Sequence, residues 1–326
     1  MLLVKLTYSG TDYYLSQDGH ALTHLWKQYV LSFDPPQRRL PLDYGGYCKL
    51  EWGSIKIAGM FFQTGNLGVW PPPAEMDITI YHTDTDEASA VTLLSGVAHR
   101  VAVDLQGVTY DIYGPEYADT VAASTAYNDT LVTIAMAMCA TLGLSLDSTA
   151  ARSPSPAVVH TTSHERLLID LLSDFCAFYS HLFYIEGTTL YLVDMLADNG
   201  SRTIEFKYLR GPEYHWEPLT YEVTDGTNVS FGTNKYGRSV RQDAYHDTAG
   251  NITAAFDDIL TVCNSDWASI SIPFEGDVPV PGEKISWTDE QLAADTEMYI
   301  RARSITYDFD RRLIHIEGEG SMTKSA

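Results

Sequence analysis

His160 and His164 stand four residues apart in "HTTSHERLLIDLLSDFCAFYSHLFYIEGTTLYLVD" (160–194), with Glu165 beside the second. Two histidines on successive turns of one helix, with a third ligand nearby, form a zinc site. That chemistry needs both histidines inside the helix. Thr162 followed three residues later by Glu165 has the pattern of a capping box. A helix starting there leaves His160 ahead of it and His164 in its first turn. The pair marks a helix start, and no metal site is assigned.

Other residue types that do chemistry are present without the company they need. Adjacent carboxylates, Asp257–Asp258 and Asp84/Asp86/Glu87, have the composition of a glycosidase pair or a calcium loop. The second cluster lacks the later glutamate of an EF-hand loop, and 43 acidic residues make such neighbours common by chance. No G-x-S-x-G elbow, phosphate loop or H-E-x-x-H occurs. The G-x-G of "GEGSMT" ends a strand rather than opening a helix, so it is no dinucleotide fingerprint. No catalytic residue and no cofactor is assigned. What remains is contact chemistry. Trp70 in "GVWPPP", Tyr214 and Trp216 in "PEYHWEPLTYE", and Arg38 and Arg39 in the basic turn "FDPPQRRLP" are the candidate interface residues. Tryptophan, tyrosine and arginine are enriched at such surfaces. A sugar-stacking platform is the alternative reading of the aromatic patches.

The bulk composition narrows the partners. The chain has 326 residues and a formal charge of −22. Nucleic-acid binding needs Lys and Arg to neutralise phosphates, so this balance disfavours it. The four cysteines are scattered without C-x-x-C spacing, and Cys139 and Cys176 lie in apolar helical patterns, as buried free thiols do. No apolar run approaches the ~18 residues of a membrane span.

Period-two alternation fills residues 1–118: "KLEWGSIKI" (49–57, with Leu50, Trp52, Ile55 and Ile57), "DITIYH", "RVAVDL" and "TYDIYG", divided by Gly, Pro and Asp clusters. The period then changes. Leu131, Ile134, Ala135, Met138 and Leu142 share one helical face, with Asn128 or Asp129 to cap the start and Gly143 to end it, giving a helix over 129–142. After a Pro/Ser connector, a second helix over 163–180 leads into a β-hairpin over 182–194, turning at Glu186–Gly187. Strand patterns return over 201–326, interrupted by a polar, loop-rich insertion at about 236–263. The fold class is mainly β (α+β): two antiparallel β-barrels, 1–118 and 201–326, joined by an α/β helix–hairpin module, 119–200.

The helix ending in "LGL", the Pro/Ser connector and the helix–hairpin "TTSHERLLIDLLSDFCAFYSHLFYIEGTTLYLVD" are similar to a unit of tailed-bacteriophage tail hub proteins. This family includes baseplate hubs, the late control protein D group and the N-terminal part of VgrG spikes. "LLSGVAHRVAVDLQGVTYDIYGPEY" resembles the family's first barrel, and "PGEKISWTD…YIRARSITYDFDRRLIHIEGEG" its closing strands. The resemblance implies a non-enzymatic structural hub of a tail tip or baseplate, a homotrimeric, pseudo-sixfold ring in the virion, made in the host cytoplasm. It implies a tail tube or distal tail protein above, a tape measure protein, and a tip spike or central fibre protein below. DNA would pass through an acidic lumen as unbound cargo. Some relatives carry an iron–sulfur cluster in a C-terminal cysteine-rich domain. Here the last cysteine is Cys263, so none is expected. The alternatives are a distal tail ring protein and a β-rich carbohydrate-binding protein or hydrolase.

Overall fold

The computed structural model describes all residues except 36, 41, 43, 52, 64, 65, 84–86, 89, 114–120, 123–125, 162–164, 206–209, 216–219, 233–236, 274–277, 288–295, 309, 310, 312, 325 and 326. The chain opens with β1 (Leu2–Tyr8) and β2 (Thr11–Ser16), joined by Ser9 and Gly10 at φ 51° and 77°. Two consecutive left-handed residues match the twist of a two-residue hairpin. Next come β3 (His20–Ala21), β4 (Leu25–Gln28) and β5 (Val30–Asp34), then β6 (Gln37–Arg39), β7 (Gly46–Tyr47) and β8 (Lys49–Glu51). After them run β9 (Gly53–Ala58), a short 3-10 turn, β10 (Glu75–His82), β11 (Val91–Val103) and β12 (Gly107–Tyr113). Nine of these strands make one sheet in the order β3-β4-β2-β1-β10-β11-β12-β9-β5. The alternation read from the sequence is realised here: Ile55, Ile57, Ile78, Ile80, Tyr110 and Ile112 bury on one side around Phe61 and Phe62.

The middle region holds β13 (Val121–Ala122), β14 (Ala126–Thr130), α1 (Leu131–Leu142), β15 (Ser145–Asp147), β16 (Ala157–Thr161), β17 (Arg166–Leu167), α2 (Leu168–Phe178), β18 (His181–Glu186) and β19 (Thr189–Asp194). The cap of α1 is Thr130, whose hydroxyl accepts the Thr133 N–H at 3.3 Å. Asn128 and Asp129 are held extended, paired with Val159 and Val158, and so do not cap. Gly143 ends the helix at φ 72°, as expected. α2 differs from its expected span of 163–180. Its first residue is Leu168, and its N-cap, Leu167, makes no side-chain bond, so the Thr162–Glu165 capping box does not start it. Arg166 and Leu167 are instead extended against Val121 and Ala122, which delays the helix. The hairpin turns at Gly187, φ 57°, between β18 and β19.

The last region contains β20 (Ser201–Thr203), β21 (Arg210–His215), β22 (Thr220–Thr224), β23 (Val229–Phe231), β24 (Arg238–Arg241), α3 (Ala249–Cys263), β25 (Asp266–Pro273), β26 (Lys284–Trp287), β27 (Thr296–Asp308) and β28 (Leu313–Lys324). The main sheet here runs β20-β26-β27-β28-β25-β21, and β6 adds to β27. The insertion at 236–263, expected to be loop-rich, contains the fifteen-residue α3. Ile252, Ala255, Phe256, Ile259 and Leu260 form its apolar stripe, and they share a core with α1, α2, β18 and β19 rather than with the C-terminal sheet. The polar run that precedes them hides that stripe from a composition reading.

The two large sheets repeat one path. In chain order β5, β9, β10, β11 and β12 assemble as β5-β9-β12-β11-β10, and β21, β25, β26, β27 and β28 assemble as β21-β25-β28-β27-β26. Every pairing along both paths is antiparallel. The long hairpin carries a β-bulge two residues beyond the last pair with the preceding strand in each: at Val101, after the Glu75–His99 pair, and at Arg303, after the Lys284–Arg301 pair. The closed barrels expected from the strand count are not formed by the described pairings. β3 and β5 end the first sheet, and β20 and β21 end the second. The two-residue β3 and three-residue β20 offer few backbone groups for closure.

The expected domain limit near 118 is crossed in space by the segment between β5 and β9. β6 pairs with β27 in the C-terminal sheet, and β7 pairs in parallel with β18. Gly45 permits this approach: a Cβ there would lie 2.5 Å from the His181 carbonyl oxygen and 2.9 Å from the Ala177 Cα, at a φ of +147°.

Candidate functional site: contact surfaces

His160 lies on β16, half-buried, its imidazole edge-on to Tyr245 at 4.8 Å and Phe175 at 6.0 Å. Burial, with the Arg166 charge nearby, pushes its pKa below the usual histidine value. It is a packed aromatic. His164 lies outside the described residues.

The adjacent carboxylates of α3 diverge. Asp257 is exposed, whereas Asp258 accepts from Arg152 Nη1 at 2.5 Å. Arg152 also grips Asp194 with two hydrogen bonds of 3.0 Å, through Nε and Nη2. The two aspartates joined by one guanidinium therefore latch α3 to the end of β19. In the other cluster, Asp84 and Asp86 are outside the described residues. Glu87 accepts from the His24 backbone N–H at 2.9 Å, the His24 ring and Trp26 Nε1 at 3.3 Å. Asp258 and Glu87 are thus committed to holding the fold.

The interface candidates separate. Trp70 is 68% exposed. The loop beneath it is pinned, since the carbonyls of Pro72 and Pro73 accept from Arg100 Nη1 and the Tyr110 hydroxyl. Arg38 and Arg39 lie on β6, a strand rather than the expected turn. Arg38 is half-buried, donates to the Ile185 carbonyl at 3.3 Å and stands 5.6 Å over the Tyr184 ring. Arg39 is exposed. Tyr214 is in β21 by its backbone, and Trp216 lies outside the described residues.

Two apolar surfaces were missed by the sequence reading. Around the tip of the β11–β12 hairpin, Leu31, Met60, Val101, Val103 and Leu105 are all exposed, Leu105 completely. On β23, Val229 and Phe231 are exposed at 38% and 59%. The alternation of Val101, Val103 and Leu105 was legible as a strand, but it predicts burial of one face. The hairpin instead runs past β10, whose pairing ends at His99. Soluble single chains seldom display clustered large apolar side chains without a partner to cover them.

Among the described residues, a charged pair is buried. Arg303, 1% exposed, donates through Nη2 to Glu319 at 2.6 Å and to the Met195 carbonyl at 2.8 Å. Cys48 lies beside it, its thiol 3.7 Å from the Arg303 carbonyl and pushed up to about 12 by burial. The bulge thus seats the middle region on the C-terminal sheet.

The sequence matches no protein-family model and no curated protein. Its fold does match solved structures. A tail protein from Neisseria meningitidis aligns with a TM-score of 0.61 at 9% identity, over 98% of this chain and 96% of that one. The 43 kDa tail protein of prophage MuSo2 from Shewanella oneidensis aligns with a TM-score of 0.58 at 12% identity, over 97% and 96%. A prophage tail protein from Listeria monocytogenes gives 0.54 at 12% identity, over 100% and 95%. The chain therefore has, from end to end, the fold of bacteriophage tail proteins.

Proposed function

We propose that this protein is a non-catalytic structural hub of a bacteriophage tail tip or baseplate, working as a homotrimeric ring in the virion. Two sheet-built domains, about 1–118 and 201–326, would alternate around the ring and give it pseudo-sixfold character, with the 119–200 module between them. A tail tube or distal tail ring would stack on one side and a tip spike or central fibre on the other, with the tape measure protein inside the tube above. The genome would pass through the ring without being held.

The observation that carries this reading is the repeated strand path, bulge for bulge, in a chain whose whole length takes a tail-protein fold. Three copies of a doubled unit present six similar sheets, which suits a sixfold neighbour. A distal tail ring protein would use one such sheet per copy, so the repeat favours the hub. The exposed Trp70 and Arg39 fit stacking contacts. The charge of −22 fits a channel that must not bind phosphate backbones.

The test is the mass of the purified protein by light scattering, with negative-stain images. Three times 36.3 kDa in ring-shaped particles is the expected result. A hexamer would transfer the chain to the distal ring class. A monomer that forms no ring alone or with tail partners would end the proposal.

A further inference from the structure

The two bulges have different surroundings. In the C-terminal sheet the strand beyond the bulge is covered, because β6 pairs antiparallel with Ser304 and Ile305 through Arg39 and Arg38. In the first sheet the corresponding residues, Ala102 and Val103, pair only with Thr109 and Val108 on the β12 side. β10 stops opposite His99, and among the described residues no strand pairs with that edge of β11 beyond this point. The result is an open backbone edge flanked by the exposed Val101, Val103 and Leu105. Such an edge is a ready template for an added strand.

The repeat also indicates what fills it. β6 belongs to the segment linking β5 to β9, the first two strands of the repeated path. The same segment in the second repeat links β21 to β25 and carries the three-stranded sheet β23-β22-β24. β23 is an outer strand of that sheet, and it holds the exposed apolar pair Val229 and Phe231.

We propose that the outer edge of β23 in one copy adds antiparallel to β11 beyond its bulge in the next copy, and that this head-to-tail contact closes the ring. It rests on the ring reading above and deepens it by naming the surfaces. Two different patches meet, so the contact is heterologous, which generates a closed ring when the rotation fits. The meeting residues are uncharged, which suits copies whose net charge repels.

The experiment co-expresses two differently tagged chains, Val103→Cys and Phe231→Cys, and joins them with a short bis-maleimide. The four native cysteines are buried and leave little background. The expected product links the two different tags, with no link between identical ones. Val103→Asp and Phe231→Asp should each weaken assembly about tenfold or more, with an unchanged unfolding temperature of the subunit, since both sites are exposed. A wild-type trimer that gives links only between identical tags, or that resists both substitutions, overturns the named surfaces and leaves the ring standing. A wild-type monomer overturns the ring and this contact together.

Discussion

Arg303 carries its charge where water does not reach, and two of its donors, Nε and Nη1, have no partner among the described residues. Removing one member of a buried ion pair leaves the other uncompensated, at a typical cost of ~3 kcal/mol or more. Glu319 keeps a 3.0 Å contact with Arg301 Nη1, so Arg303→Met should sit at the lower end, about 3 kcal/mol, by chemical denaturation. Adding Glu319→Met removes the buried carboxylate and should recover most of that loss. A double variant as unstable as the single one would show that packing, not the pair, is at stake. Asp194 offers a second reading at this scale. Burial alone would raise its carboxyl, but the Arg152 hydrogen bonds and the His181 charge outweigh burial and hold it below the ordinary value. A lowered folded-state value means that the stabilisation is complete above the unfolded carboxylate pKa of ~3.9 and disappears as pH falls through the folded one. The stability difference between wild type and Asp194→Asn should therefore shrink below pH 4. A difference that is flat to pH 3 would mean the latch is not electrostatic.

Elements were legible where their signal is local. The stripes of α1 and α2, the Gly143 stop and the Gly187 hairpin need only neighbours within a few residues, and each is present, although α2 itself starts only at Leu168. The failures have a common cause, which is contact from far along the chain. Asn128 and Asp129 are good caps, but their pairing with β16 hands the role to Thr130. Thr162 and Glu165 spell a capping box, yet β13 holds the backbone extended up to Leu167. Strand order is a non-local property altogether, so neither the repeat nor the open edge on β11 was readable. The same reasoning sets two expectations. Thr130→Ala removes one cap bond and should cost ~1 kcal/mol, whereas Asn128→Ala and Asp129→Ala should cost less, because those side chains do not cap. Gly318→Ala should be far worse: the new Cβ would sit 1.9 Å from the Arg301 carbonyl and 3.1 Å from Arg303 Cγ, forcing β27 and β28 apart at the bulge. Thermal unfolding of the three capping variants and the glycine variant ranks them directly. A mild Gly318→Ala would show that the bulge is looser than its contacts.

At the scale of the whole molecule the proposed ring raises the question of whether charge or apolar surface would drive copies together. Each copy carries −22, so assembly brings like charges close, and that repulsion is strongest when little salt screens it. The screening length falls from ~30 Å at 0.01 M salt to ~10 Å at 0.1 M, which weakens the repulsion. The exposed Val101, Val103, Leu105 and Phe231 are untouched by screening, and excluded salts such as sulfate strengthen their burial. Association should therefore tighten as sodium chloride rises from 0.02 to 0.5 M, and more steeply in sulfate, when followed by sedimentation velocity over a dilution series. Charge-complementary contacts would give the opposite slope. The same field predicts that the assembled protein leaves duplex DNA unretarded in a gel even in low salt, where phosphate binding is normally greatest. Assembly that loosens with salt, or DNA that is retained, would mean that the acidic surface is a recognition surface rather than a non-stick one.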